Sequence, residues 1–281
     1  MRARRELLES SAAAVSVSQP AIIFTINDSG HEPILFAIDT AGADRGAWRI
    51  TGATNIDWEA GALGPCAAPV RAAGPIPVPR CLYIGETGDN EGTHATRAIY
   101  RVAEPVAESA GFMGSLAAER LTYRYADGPR DVEAMYVAPD GSIDLITKRP
   151  LRDAAGHLRP ALIYTLDAAA WNATGIAIAR RADSLTIVPG TAPFRQVTDA
   201  ALSPDALFLA VRTYFQVFIF ATDPATGTVR REIPPATCNI VALDERQGEG
   251  VGWWGTRREL VLTSEGRTEP LRVIACPLPR G

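Results

Sequence analysis

Residues 131–148, DVEAMYVAPDGSIDLITK, open on two carboxylates, Asp131 and Glu133, continue through an apolar stretch, turn at PDG and return as a hydrophobic strand ending on Lys148. The same layout stands at residues 57–64, DWEAGALG, where Asp57 and Glu59 head a run of small and apolar residues that leads on to CLYIGETGDN, residues 81–90. Short β-rich runs bounded by Gly, Pro, Asp and Asn read as strands joined by turns. A carboxylate at the head of a buried strand is costly unless a partner compensates it. Its recurrence therefore points to a repeat with a common purpose for the charge.

The layout recurs at low internal identity, and such repeats decide the fold. A first unit runs ESSAAAVS, AIIFTINDSG, PILFAIDTAG and GAWRITGA, and a second runs DWEAGALG, CLYIGETGDN, RAIYRVAEP and ERLTYRYADG. The third is DVEAMYVAPDG, SIDLITKRP, ALIYTLDAA and ADSLTIVP, and the fourth VTDAALSPD, ALFLAVRTY, QVFIFATDP and TVRREIPP. The fifth, GEGVGWWG, ELVLTSEG and LRVIACPLP, has three strands. About five units of four antiparallel strands describe an all-β protein, a single β-propeller domain spanning residues 1–281. The N-terminal segment is expected to supply the fifth unit's missing strand, so that pairing of the chain ends closes the ring. Six blades are the structural alternative, and a single sandwich leaves the repeated acidic strand start without a reason. Helical periodicity is confined to the first ten residues and to Pro105–Glu119.

In a propeller the first strand of each blade lines the central channel, so equivalent residues form rings around one axis. Aligning the five first strands puts Glu9, Asp57, Asp131, Val197 and Gln247 in one ring, and Ser11, Glu59, Glu133, Asp199 and Glu249 in a ring two residues on. The antiparallel second strands return their polar ends to the same mouth: Asn27 and Asp28, then Glu86, Asp89 and Asn90, then Lys148 and Arg149, then Arg212, then Ser264 and Glu265. This funnel is the expected ligand site. Confined carboxylates repel one another, and either raised pKa values or a cation relieves them. Oxygen donors without His or Cys favour a hard ion, calcium first and magnesium or manganese after it. Glu9, Asp57, Glu59, Asp131, Glu133 and Glu249 are the candidate ligands. Asn27, Asp28, Asp89, Asn90 and Lys148 are candidate substrate contacts.

The remaining features exclude other classes. A formal net charge of −4 and a pI near 5.5 provide no basic field for nucleic acid. With 47% hydrophobic residues the chain has ample core for a soluble globular monomer, and no apolar run approaches the ~20 residues needed to cross a bilayer. The scattered His31, His94 and His157 and the absence of CxxC spacing argue against zinc. Cys66 and Cys81 flank a Pro- and Ala-rich excursion that reads as a hairpin loop closed at its base, with two buried thiols as the alternative; Cys238 and Cys276 would be the remaining pair. Two disulfides would place the protein outside the cytoplasm, whereas the opening MRARRELLES followed by SAAAVSVSQP reads as a mature-like or cytosolic start. Trp253 and Trp254 read as packing between blades, and Trp58 is expected to face the adjacent blade. There is no GxSxG nucleophile elbow.

Several stretches together resemble a largely uncharacterised family of bacterial β-propeller proteins: Asn27–Gly30 (NDSG), Asn55–Glu59 (NIDWE), Gly85–Asn90 (GETGDN), Asp131–Ala134 (DVEA), Thr147–Lys148, Val211–Tyr214 (VRTY) and Gly248–Glu249. Here Glu86 stands where that pattern commonly has Asp, and Ser11–Ala12 where it has Ser-Gly. More remotely, the acidic channel is similar to that of β-propeller phytases and the gluconolactonase/regucalcin group, a resemblance that implies a metal polarising a phosphate or lactone carbonyl. Three readings follow. The first is a metal-dependent hydrolase of a lactone or phosphoester, with Asp199 as general base and Arg149 and Arg212 orienting the substrate; the alternative for Lys148, Arg149 and Arg212 is that they pair with the acids. The second is a non-catalytic propeller with a structural ion, binding a small molecule or protein at the channel mouth. In the third the D-x-E pairs accept backbone N–H groups and bridge neighbouring blades.

Overall fold

The computed structural model describes residues 6–66, 79–148, 155, 157, 160–185, 187, 196–255, 258–266 and 269–280. The first blade consists of β1 (Ala14–Val15), β2 (Ile22–Ile26), β3 (Ile34–Asp39) and β4 (Asp44–Thr51). The second holds β5 (Trp58–Pro65), β6 (Arg80–Glu86) and β7 (Arg97–Ala103), then β8 (Phe112–Ala117), which leaves for the first blade, and β9 (Glu119–Tyr125). The third is β10 (Val132–Val137), β11 (Ile143–Thr147), β12 (Ala161–Leu166) and β13 (Ala177–Leu185). The fourth is β14 (Val197–Leu202), β15 (Phe208–Thr213), β16 (Gln216–Ala221) and β17 (Ala236–Asn239). The fifth is β18 (Gly248–Trp254), β19 (Glu259–Ser264) and β20 (Arg272–Ala275). The innermost strands β1, β5, β10, β14 and β18 touch in that cyclic order. The chain is a five-bladed β-propeller.

Inner and middle strands are buried along almost their whole length, as in Ile22–Ile26 and Val132–Val137, because each blade is covered on both faces by its neighbours. That burial explains why these segments read as continuous apolar runs of β-branched and aromatic residues. The outer strands β17 and β20 alternate between half-buried and exposed positions, as one-sided strands do. Trp58 is fully buried between the first two blades, its Nε1 donating to Thr54 O at 3.1 Å. Trp253 packs between the last two, its ring 6.2 Å from that of Phe208.

Neighbouring blades are laced at their outer edges. β8 runs parallel to β4, and β9 runs parallel to β13, so the second and third blades share one eight-stranded sheet. The fourth and fifth are joined by the Cys238–Cys276 disulfide, and Cys66–Cys81 closes the β5–β6 hairpin at its base. Both cysteine pairs thus form as the spacing implies, a pattern characteristic of an oxidising compartment. The interior of the Cys66–Cys81 excursion lies outside the described residues. Among the described residues no helix is long and apolar enough to cross a membrane.

Two helical expectations are corrected. The described part of the first ten residues is not helical, and Ser10 bridges to Asn27. Pro105–Glu119 contains β8, because Gly111 and Gly114 adopt positive φ, 118° and 120°, and the segment finds the open edge of β4. The N-terminal segment takes the inner position of the first blade, and the fifth blade keeps three strands among the described residues. The two ends of the chain still meet at the closing seam, where Gly266 N–H donates to Leu8 O at 3.0 Å.

Candidate metal centre

Each inner strand from β5 to β18 carries a bulge near its start: the pairing skips from Trp58 to Ala60, from Val132 to Ala134, from Val197 to Asp199 and from Gly248 to Val251. The extra residue in a bulge leaves the ladder and re-aims its side chain. In β5 and β10 it is Glu59 and Glu133, and in β18 the skip contains Glu249. In β14 it is Thr198. The acidic ring is therefore built by bulges, and the fourth blade contributes a threonine to it, whose Oγ1 donates to Glu249 O at 3.0 Å.

Asp199 falls one residue later and is turned the other way. Fully buried, its carboxylate accepts N–H groups from Val251 at 2.8 Å, Ala200 at 2.8 Å and Ala13 at 3.4 Å, uniting the fourth, fifth and first blades. Burial drives its pKa well above the ordinary value against those hydrogen bonds. That placement suits a stitch across the channel and withholds Asp199 from the role of general base.

The mouth above it is assembled by side-chain tethers. Asn55 Nδ2 donates to Asn27 O at 3.1 Å and Asp28 O at 2.7 Å, while its Oδ1 accepts Trp58 N–H at 3.1 Å. This tether draws the β2–β3 turn against the start of β5 and brings Asp28 beside Asp57. Glu86 accepts the N–H groups of Ile56 and Asp57 at 3.0 and 2.7 Å and is itself held by Arg97 at 3.3 Å. Thr87 and Gly88 donate to Asp57 O. A Cβ at Gly88 would collide with the Asp57 carboxylate, so glycine is what lets the GETGDN loop close over it.

The result is a cluster in which one carboxylate oxygen each from Asp28, Asp57 and Glu59 lies within 4.8 Å of the others. Ser11 Oγ donates to Glu59 Oε2 at 3.0 Å. Burial, then the charge of Asp28, pushes Asp57 up to about 6 despite Arg97. Burial and Asp28 likewise raise Glu59 well above its ordinary value, opposed by Lys148. Across the mouth, Gln247 Nε2 links Glu249 Oε1 at 2.9 Å and Glu265 Oε1 at 2.7 Å. Burial pushes Glu249 up to about 7, and burial with the charges of Asp28 and Glu9 pushes Glu265 up to about 6. Lys148 forms an ion pair with Glu133, and its charge reaches Glu59, Glu249 and Glu265.

Other residues singled out from the sequence are already engaged. Glu9 sits at the rim, 3.0 Å from His31 Nε2. Asn27 Oδ1 accepts Leu8 and Glu9 N–H and its Nδ2 donates to Glu6 O, so it secures the N-terminal segment. Asp131 accepts Asp89 N–H at 2.9 Å. The Asp89 carboxylate is occupied by Thr93 N–H and by the backbone and ring of His94; burial opposes them, but together they hold its pKa below the ordinary value. Asn90 is exposed. Arg212 is wholly buried and donates to Gly250 O at 2.7 Å, Thr263 O at 2.9 Å and Glu245 Oε2 at 2.5 Å, which leaves no fork for a substrate. Arg149 lies outside the described residues. Glu245 was not legible in the sequence: it stands in the loop before β18, outside any strand periodicity.

No family model and no curated protein matches the sequence. Among solved structures, the chain is similar to the major Malassezia sympodialis allergen Mala s 1, with a TM-score of 0.53 at 8% identity over 96% of this chain and 92% of that one. More distant are a luciferin-regenerating enzyme, TM-score 0.44 at 9% identity over 99% and 79%, and the Dos1 propeller, 0.38 at 8% over 98% and 58%. At such identities the likeness concerns the fold alone. None of these comparisons supports the phytase or regucalcin resemblance.

Proposed function

We propose that the acidic mouth is a divalent-cation site, calcium first, held by Asp28, Asp57 and Glu59. The observation that carries this reading is the 4.8 Å limit on their oxygen separations. Two ligands of one calcium ion at 2.3–2.6 Å each stand no more than roughly 5 Å apart. The donor set is all oxygen, burial and the neighbouring Asp28 charge raise the pKa values of Asp57 and Glu59, and Gly88 keeps side-chain bulk out of the space beside Asp57. The ion's neighbours Glu249, Glu265 and Lys148 leave both signs of charge available to a small ligand.

Titration of the purified, metal-free protein with calcium chloride should give one equivalent of binding and a rise in melting temperature, both lost in Asp57→Asn. Absence of heat and of any thermal shift up to about 10 mM calcium, well past the range of extracellular sites, would overturn the assignment. Binding should weaken about tenfold from pH 7.5 to pH 5.5, because the ligands must lose protons before they coordinate.

The same shifts predict an unusual stability profile. Asp57, Glu249 and Glu265 titrate near 6, 7 and 6 in the fold, above their ordinary values of 3.8, 4.5 and 4.5. The folded state therefore holds more protons than the unfolded one between those limits, and stability falls as pH rises through them. Without metal the melting temperature should decline from about pH 5 to about pH 7.5, and calcium should flatten the decline. A metal-free profile that rises over that window would contradict the shifts.

A hydrolytic reading of the same site is favoured by Glu249, whose value of about 7 suits a group that exchanges protons near neutrality. A bound cation supplies Lewis-acid polarisation and a more acidic water. Glu249 then serves the proton transfer in the place first assigned to Asp199, and Lys148 holds an anionic group of the substrate. Calcium-dependent turnover of a lactone or phosphoester panel, abolished by Glu249→Gln without loss of metal, separates catalysis from simple binding. Metal binding with an inactive panel leaves the non-catalytic reading standing.

A further inference from the structure

The opposite end of the channel opens into a pair of cavities lined by small apolar residues together with Arg80 and Ser203. Past Asp199 the inner strands surround a cavity of about 270 Å³, walled by residues such as Ala14, Ala62, Val137 and Leu202. Adjoining it is a larger cavity of about 530 Å³, where the fourth and fifth blades meet the first. The two share Val15, Val17, Ser203, Pro204 and Trp253 in their walls. The larger one is faced by the rings of Phe208, Trp253 and Trp254 and edged by Asp205 and Arg258. Its size falls within the roughly 300–1,000 Å³ of small-molecule sites, and it combines apolar walls with few polar groups.

Backbone strain gathers at the same place. Among the described residues the non-glycine positions with positive φ are Ala21, Ala206, Asp244 and Arg258, at 73°, 54°, 50° and 58°. Ala21 and Arg258 line the larger cavity and Ala206 the smaller. Strain of this kind persists where surrounding structure enforces it, and it clusters at ligand clamps. The Arg258 guanidinium lies 5.0 Å above the Phe208 ring, and its separation from Asp205, 3.8 Å with both side chains about half exposed, is too long for a hydrogen bond. With respect to the described residues it therefore has donors to spare at the edge of an aromatic wall. Trp253 is held in place by its Nε1 donating to Ala201 O at 2.9 Å.

We propose that this seam cavity binds a flat aromatic compound carrying one anionic group. The rings lie against Phe208 and Trp254, and the anion meets Arg258. The site is independent of the acidic mouth, since it draws on the opposite ends of the inner strands.

Fluorescence titration with 8-anilinonaphthalene-1-sulfonate, an aromatic anion, tests it on the full chain. Saturable binding of about one equivalent is expected, unchanged in Asp57→Asn. Val17→Trp, which fills a half-exposed position common to both cavities, should weaken binding about tenfold. Arg258→Gly relieves the left-handed backbone, so its melting temperature should rise by about 2 °C while affinity for the sulfonate falls about tenfold. The uncharged analogue N-phenyl-1-naphthylamine should bind Arg258→Gly as it binds the wild type. Unsaturable binding, or wild-type affinity in both variants, overturns the proposal; if Val17→Trp does not fold, Arg258→Gly alone decides.

Discussion

Arg212→Met should lower stability by about 3–5 kcal/mol, the cost of removing one member of a buried ionic network and leaving the others uncompensated. Arg212 is fully buried beside Glu245, and its charge also reaches Glu249 and Asp199. Desolvation by burial lowers its own pKa, but those three carboxylates oppose the shift and keep the cation in place. Its guanidinium also satisfies the carbonyls of Gly250 and Thr263, joining the fourth blade to the fifth. A Cβ at Gly248 would overlap it, so Gly248→Ala should be costly for the same reason. Arg212→Lys should recover little, because a compact ammonium cannot span the three acceptors that the planar guanidinium fork reaches, Gly250 O, Thr263 O and Glu245 Oε2. Urea denaturation provides the measure. An Arg212→Met protein within about 1 kcal/mol of wild type, the level of an ordinary hydrogen bond, would show that the network is dispensable. The double variant Arg212→Met/Glu245→Met should regain part of the loss, since it removes the stranded carboxylate as well.

Loss of the Cys238–Cys276 disulfide should cost about 2–4 kcal/mol. The bond spans 38 positions and ties the outer strand of the fourth blade to the chain just beyond β20. The fifth blade has no fourth strand among the described residues to cover β20, so the cross-link replaces a missing ladder as well as limiting the unfolded chain. Cys66–Cys81 spans only 15 positions, and its hairpin is already paired at Gly64 with Cys81. Cys276→Ser should therefore destabilise more than Cys66→Ser in thermal melts under oxidising conditions. The reverse order would mean that the closing seam does not depend on the cross-link.

How far the site was legible depends on the residue. Glu59, Glu133 and Glu249 could be found because a strand start recurs with a carboxylate two residues in. Asp199 satisfied the same spacing and was misplaced. A bulge adds one residue without leaving a mark in the apolar pattern, and in β14 it falls at Thr198, which moves Asp199 to the other side of the strand. Asp28 was legible as a polar strand end, yet its place with Asp57 and Glu59 depends on Asn55 reaching across to the Asn27 and Asp28 carbonyls. Arg212 offered the sequence a cation at the mouth. Its true surroundings, Glu245 and two backbone carbonyls, belong to a loop and a neighbouring blade that no periodicity connects.

Local physics along the chain specifies apolar strands of blade length, their repetition in about five units, and carboxylates at the strand starts. Which carboxylates share a space, which are absorbed as stitches between blades, and where an apolar cavity opens were decided only when the ring closed. Closure brings residues as distant as Ala13, Asp199 and Val251 within hydrogen-bonding range. Burial and mutual repulsion, which give the mouth its raised pKa values, exist only in that arrangement.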